Sequence, residues 1–377
     1  LKIQKEEIQM RNLKRALSLA LAAIMLVGMM VVSASAASYN NLTDKDEIVN
    51  KDAVSMLVSL GIIEGKPDGS YGPTENVDRA QMAKMLSVIM NKGVDNSALY
   101  QSVNSGLTDI TSHWAKGHIN YCYTTGIIAG RGTGTFDPSA TVTALEAAKM
   151  LLVAVGYDPA IEGFEGADWA INVSVRADEQ GIFEGFTKDL SAPLNRDDAA
   201  LLIYNALDVE MIQSYTTNNY PIVYSDHRTI LSDKYGVIKV EGVVTANEWA
   251  ILDDDTDTAL QEGKTRIYNP DGILSTTGNT AVAQDSSANV KTQVFNVSTP
   301  VDMLGKAVTM YVKKTTILAD STVYGAPVVS DVNTVIETGE KVTGGDSKDD
   351  DSLAALLGGL GSTSSSTSYI ESTAGVA

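Results

Sequence analysis

One feature of this sequence limits its fold more than any other: it repeats itself. Leu42-Thr43-Asp44 returns as Leu107-Thr108-Asp109, and the match continues at a constant offset of 65 residues. Gly61-Ile62-Ile63 meets Gly126-Ile127-Ile128, Gly65 meets Gly130, Gly69 meets Gly134, Tyr71 meets Phe136, Pro73 meets Pro138, and Lys84-Met85-Leu86 meets Lys149-Met150-Leu151. A third, more divergent copy opens at Asp168-Trp169-Ala170, which answers His113-Trp114-Ala115. It runs through Gly181-Ile182, Gly185 and Pro193-Leu194-Asn195-Arg196, with a shorter middle loop. Each copy leaves a face that only a neighbour can bury, so the copies have to stack around a shared core.

Each copy reads as helix, glycine stop, loop, helix. The first helix ends at Gly61, Gly126 or Gly181 with an aliphatic residue directly after it, the glycine-plus-hydrophobic signature of a helix C-terminus. The second helix opens with Asp78-x-x-Gln81, Thr143-x-x-Glu146 and Asn195-x-x-Asp198. The first two fit a capping box, in which the cap side chain takes a backbone amide and the residue three positions on reaches back; the third is looser, because Asp is shorter than Glu or Gln. Met82, Met85, Leu86 and Ile89 then form a helical stripe with one buried face.

These residues resemble the S-layer homology (SLH) domains of bacterial cell-surface proteins. The second copy carries the resemblance best, with Asp109, His113-Trp114-Ala115, Gly126-Ile127-Ile128, Gly134-Thr135-Phe136-Asp137-Pro138 and Thr143-Ala144-Leu145-Glu146. It extends over roughly residues 40–211 in three copies, at 37–91, 107–156 and 160–211. The resemblance implies a three-pronged α-helical spindle that holds a protein non-covalently to a secondary cell-wall polysaccharide attached to peptidoglycan. The sugar is anionic, pyruvylated in many members of the family, and lies in grooves between prongs. Self-association in a surface layer is a further partnership the resemblance implies.

Carried over residue by residue, the ligand-binding positions are Arg79 and Gln81 in the first copy, Thr143 and Glu146 in the second, Arg196 and Asp198 in the third, and the aromatic residues Trp114 and Trp169. An arginine beside the positive end of a helix suits a carboxylate, and the family pattern is expected to leave it pointing outward. The second copy has Ala144 where the arginine belongs, which leaves two readings open: a weak groove, or one that borrows Arg131 or Lys149. Bland readings stand beside these. Asp78, Thr143 and Asn195 are cap residues first, and Trp114 and Trp169 serve as core anchors of the first helices.

Ahead of the repeats, Arg11, Lys14 and Arg15 precede an apolar run from Ala16 to Val32 and then Ala34-Ser35-Ala36. Residues 10–36 therefore read as a secretory signal peptide, with residues 1–9 as upstream translation and no membrane span in the mature chain. The net charge of −19 disfavours diffuse attraction to nucleic acid. One cysteine and three histidines leave little material for a disulfide framework or a metal cage, and the reading includes no cofactor and no metal. Cys122 lies in an apolar stretch that favours burial over reactivity.

Beyond the Asn/Thr-rich segment Tyr215–Asn219, read as a linker, residues 220–340 have strand composition at 237–245, 264–268, 292–297 and 307–312, with one helical turn after Pro300. A small β-sandwich or partly open barrel is the economical expectation. Asp253–Asp257 reads as a solvated acidic hairpin tip, since Lys264 stands where a calcium loop needs its twelfth-position Glu. Residues 341–377 read as a disordered tail or linker. The whole is a multidomain chain, an α-helical three-repeat SLH spindle followed by a small mainly-β domain, and its function is non-enzymatic anchoring of a secreted surface protein. The alternative is the anchoring portion of a surface enzyme or adhesin whose working module lies beyond residue 377.

Overall fold

The computed structural model describes residues 39–252, 259–269, 291–313 and 322–330. The signal segment, the acidic run 253–257 and the tail 341–377 fall outside the described residues. Helices α1 (Lys51–Ser59), α3 (Lys116–Thr124) and α5 (Trp169–Glu179) are the first helices of three pairs, and α2 (Arg79–Met90), α4 (Ala144–Val155) and α6 (Arg196–Leu207) are the second. Each first helix stops as its glycine requires. Gly61, Gly126 and Gly181 adopt φ of 69°, 79° and 70°, and the amides of Ile62, Ile127 and Ile182 bond back to Leu57, Cys122 and Ala177. The three isoleucines are buried, so each stop also anchors the loop into the core.

The second helices converge on one point. Val77 N–H donates to Leu194 O, Leu194 N–H to Val142 O, and Val142 N–H to Val77 O, a closed ring through three buried side chains. Each of these residues directly precedes a cap residue. The Asp78/Gln81 and Thr143/Glu146 capping boxes are both complete, and Asn195 accepts from Asp198 N–H without the reciprocal bond, as its shorter partner dictates. The next amides along each helix leave their own pair. Arg79 and Ala80 donate to Ala140 and Pro138, Leu145 to Leu190, and Arg196 and Asp197 to Glu75 and Pro73. Helix starts that would otherwise hold orphan donors are thus satisfied by the next pair's loop, in cyclic order. The helices close the same circle, α2 packing on α3, α4 on α5 and α6 on α1.

The segment read as a linker is an ordered hairpin. Strands β1 (Ile212–Tyr215) and β2 (Pro221–Val223) pair antiparallel around Thr216–Asn219. Tyr215 Oη donates to Glu162 and accepts from Asp158 N–H, fastening the hairpin to the third pair.

The β region is a single five-stranded antiparallel sheet among the described residues, where a sandwich or barrel was the expectation. Its strands β3 (Val237–Ala246), β4 (Thr265–Tyr268), β5 (Thr292–Phe295), β6 (Ala307–Lys313) and β7 (Val323–Val329) run in the order β5-β4-β3-β6-β7. The helical body takes the place of a second sheet. Tyr311 meets Tyr204 edge to face at 5.8 Å, Lys239 reaches Asp208 at 3.6 Å, and Gly325 lies against the backbone of Met56. Val237 and Tyr311 belong to the same buried cluster as α1 and α6, while Ile238, Val240, Met310 and Val312 build a second, smaller core.

Two outcomes follow from this packing. Tyr311→Ala removes a buried ring at the junction and should cost about 3 kcal/mol or more, lowering the helical melt in one transition; a helical melt that stays at the parent temperature would show the layers to be uncoupled. The second concerns Asp44 and Asp109, which accept the loop amides Tyr71 and Gly72, and Phe136 and Asp137. Burial alone would raise both carboxyls, but these amides outweigh it and hold them below their ordinary value of 3.8. Their stabilisation is complete above that value and is lost as pH falls through the lowered folded values. The melting curves of Asp109→Asn and parent protein should therefore converge on acidification below about pH 4, and curves that remain parallel would refute the assignment.

Candidate functional site

Arg79 does not point outward. It is 4% exposed, and its Nε and Nη2 donate to the carbonyls of Phe136 and Ala129 at 2.8 Å each. The guanidinium also lies 4.3 Å over the Phe136 ring. Arg196 repeats the arrangement one step round the circle, donating to Tyr71 O at 2.8 Å and Glu64 O at 3.4 Å and lying 4.7 Å over the Tyr71 ring. The reason is the position after the cap: the helix start abuts the next pair's loop, whose carbonyls and aromatic face need a cation. Burial, helped by Arg131, pushes the Arg79 guanidinium down to about 10, so it remains charged at neutral pH.

A cavity of about 520 Å³ opens beside Arg79. Loop residues 127–132, the first turns of α4 and the segment 164–169 enclose it, and its chemistry comes from Arg79, Arg131, Lys149, Glu146, Glu165 and Trp169. Arg131 Nη1 holds Glu146 Oε1 at 2.9 Å. Lys149 Nζ donates to Phe164 O and lies 5.7 Å from the Trp169 ring. Burial lowers the Lys149 ammonium, against the pull of Glu165. Three cations, two carboxylates and an indole in a concave groove can hold an anionic, partly apolar ring such as an acidic sugar.

Of the eight residues selected from sequence, the cavity gathers Arg79, Glu146 and Trp169. Thr143 and Gln81 are occupied in their capping boxes, and Asp198 donates its backbone N–H to the Asn195 cap while its carboxylate accepts from the Lys188 ammonium. Arg196 serves the first pair's loop. Trp114 is 55% exposed and packs edge to face on His118, away from the cavity. Lys149 and Arg131 were the borrowed cations of one reading, and they do line this groove. Their signal was the offset of 65, which sets Lys84 on Lys149 and Lys66 on Arg131. Glu165 had no such signal.

The position of Ala144 has a different consequence from the one read in the sequence. Since each cap-following residue faces the next pair's loop, Arg79 equips the second groove, Arg196 the first, and Ala144 falls on the third. That third position also has Leu201 where the others have Lys84 and Lys149, Phe186 where they have Lys66 and Arg131, and Val49 where they have Trp114 and Trp169.

The family model for the S-layer homology domain matches residues 41–83 and 106–148. Among curated relatives, a cell surface protein of Thermoanaerobacter kivui is 27% identical over 270 residues, 71% of this chain and 32% of the relative. An S-layer protein of Bacillus licheniformis is 33% identical over 113 residues, 30% of this chain and 12% of the relative. An amylopullulanase of Thermoanaerobacterium thermosulfurigenes is 30% identical over 173 residues, 42% of this chain and 9% of the relative. The chain thus spans about a third or less of the length of these relatives.

Replacing Arg79 should be structural in effect before it is functional. Arg79→Ala leaves two loop carbonyls unpaired and should cost about 2 kcal/mol or more, whereas Thr143→Ala loses one cap at about 1 kcal/mol. Denaturant unfolding of the two variants measures both, and an Arg79→Ala protein as stable as the parent would contradict the clamp.

Proposed function

Because the chain carries S-layer homology domains and is a secreted protein of the bacterial cell wall or surface layer, we propose that its three helix pairs form one SLH spindle that binds an anionic secondary cell-wall polysaccharide. The observation that carries this reading is the groove at Arg79, Arg131, Lys149 and Trp169 in a chain whose net charge is −19. A protein so acidic attracts a polyanion only through a local cationic site, and here one is built into a concave groove. Arg131 is the cation best placed to turn to the ligand, because it is the exposed one of the three and its acidic partners are Glu146, which already serves the helix cap, and Asp137 at 4.0 Å. Arg79 fixes the loop that carries it.

The first groove has cations at the three corresponding positions, Arg196, Lys66 and Lys84, with Gln81 in place of Glu146. The third, with Ala144, Leu201 and Phe186, has lost them. The working grooves in this reading are therefore the first and second, and the third pair contributes Trp169 to its neighbour. The sheet, docked on α1 and α6, is carried at the surface by the spindle, and self-association in a layer belongs to the same proposal. A second reading, the anchoring portion of a surface enzyme, is favoured by the matches to an amylopullulanase and to an exoglucanase of Acetivibrio thermocellus.

The test is sedimentation of the full chain with purified cell walls before and after acid removal of the non-peptidoglycan polymer. Binding should be lost with the polymer, and Arg131→Ala should weaken it roughly tenfold, the equivalent of about 1.4 kcal/mol, without lowering the melting temperature. Equal binding to stripped peptidoglycan would sink the polymer assignment, and an unweakened Arg131→Ala would relocate the site.

A further inference from the structure

The three seams between neighbouring pairs are built from corresponding positions, and one of them differs in kind. In the α4–α5 seam, Leu152 and Val173 are fully buried apolar residues. The corresponding positions of the α2–α3 seam are Ser87 and His118, both buried. Ser87 Oγ lies 2.6 Å from His118 Nδ1 and 2.9 Å from Lys84 O, and His118 Nε2 faces Asp95 Oδ2 at 3.6 Å. The third seam has Tyr204 and Ala53 at these positions.

The serine has one proton and two acceptors. If it donates to Lys84 O, His118 Nδ1 must carry hydrogen and donate to Oγ, and a neutral ring then turns a lone pair on Nε2 toward the Asp95 carboxylate. If it donates to Nδ1 instead, Nε2–H faces Asp95, and Lys84 O keeps its helical bond from the Val88 amide. The neutral Nε2–H tautomer thus leaves every group with a partner, so an imidazolium gains no missing bond here and places a charge in a buried seam with Lys84 nearby. The charged groups facing the ring are Lys84 from α2 and Asp95 from the loop after it; from its own side come the Trp114 ring and the buried Cys122.

We infer that the Ser87–His118 pair makes the α2–α3 seam a proton-responsive joint, which loosens on acidification while the α4–α5 seam stays closed. Burial, with Lys84 adding to it and Asp95 opposing, holds the His118 imidazolium below its ordinary value of 6.5. The folded state therefore takes up its proton later than the unfolded one, and the stabilisation present above 6.5 declines as pH falls toward the folded value. Because Trp114 and Lys84 both touch this joint, its state is felt on the surface where the second pair meets the first.

The internal reference is the α4–α5 seam. The α6–α1 seam is unsuitable, since burial also raises the carboxyls of Asp52, Asp197 and Asp208 on that side.

The experiment is carried out on the full chain. A histidine Cε1–H NMR titration should place the His118 midpoint below 6.5, and Ser87→Ala, which removes an acceptor for the imidazolium, should move it further down. Hydrogen exchange at about pH 5 and about pH 7.5, corrected for the intrinsic rate, should show extra loss of protection in α2 and α3 relative to α4 and α5. The double variant Ser87→Leu/His118→Val, which installs the pair found at the α4–α5 seam, should abolish that excess. The inference is overturned by a midpoint at or above 6.5, by equal acid sensitivity of the two seams, or by a folded double variant that keeps the excess. Should the double variant not fold, the first two readouts decide.

Discussion

The closed ring of backbone bonds through Val77, Val142 and Leu194 is the constraint from which the rest of this structure follows. Three residues, far apart in sequence, each give an amide to one neighbour and a carbonyl to the other. None of the three bonds closes a circle unless all three pairs are present. Its energy as hydrogen bonding is modest, but the alternative is three buried amides without partners. The ring also sets direction: with Val77 committed to Leu194 and Val142, the helix that follows must start against the next pair's loop. The cap residues, the exported first-turn amides and the inward turn of Arg79 and Arg196 are consequences of that start.

Much of the local structure was legible because it rests on local chemistry. Gly61, Gly126 and Gly181 stop their helices for the steric reason that identifies them in sequence, and Asp78-x-x-Gln81 and Thr143-x-x-Glu146 close as capping boxes because both partners lie on one turn. Strands β3 to β6 were visible in their composition, whereas β7 and the hairpin β1–β2 were not read, and the helical turn after Pro300 falls at Val301–Met303. What was not legible was relation between copies. A cap followed by arginine says that a cation stands at a helix start; it does not say which loop abuts that start. Only the cyclic closure turns Arg79 onto Phe136 and Ala129. The second layer over the sheet was hidden likewise, since alternation along β3 and β6 shows two buried faces without saying that one of them belongs to α1 and α6.

The sheet's dependence on the helical body bears on what the β region can be. Its second core is small, and a five-stranded sheet with one uncovered face would expose Val237 and Tyr311 to water. Docked as it is, the sheet shares a buried cluster with the second helix of the third pair and the first helix of the first, the two helices that close the circle. Hydrophobic burial at the sheet therefore reinforces the α6–α1 seam, where Asp197 accepts the amides of Val49 and Asn50. The hairpin β1–β2 adds Tyr215 on Glu162, a carboxylate also gripped by Arg176. Helical body and sheet support one another at the point where the chain passes from one to the other.

Cyclic order also decides how many copies the cavity beside Arg79 needs. The second groove takes Arg79 from the first pair, Arg131 and Lys149 from the second, and Trp169 from the segment that opens the third. No two pairs contain that set. A chain with two copies could display the loop and its lysine but would lack either the arginine that steadies the loop or the ring that walls the cavity, and its ring of backbone bonds would stay open. The third pair, with Phe186 and Leu201 at the positions of the other cations, still supplies Arg196 to the first loop and Trp169 to the second cavity. Within this chain the third copy departs from the other two at positions that face its own loop and keeps Arg196, Leu194 and Trp169, which belong to its neighbours.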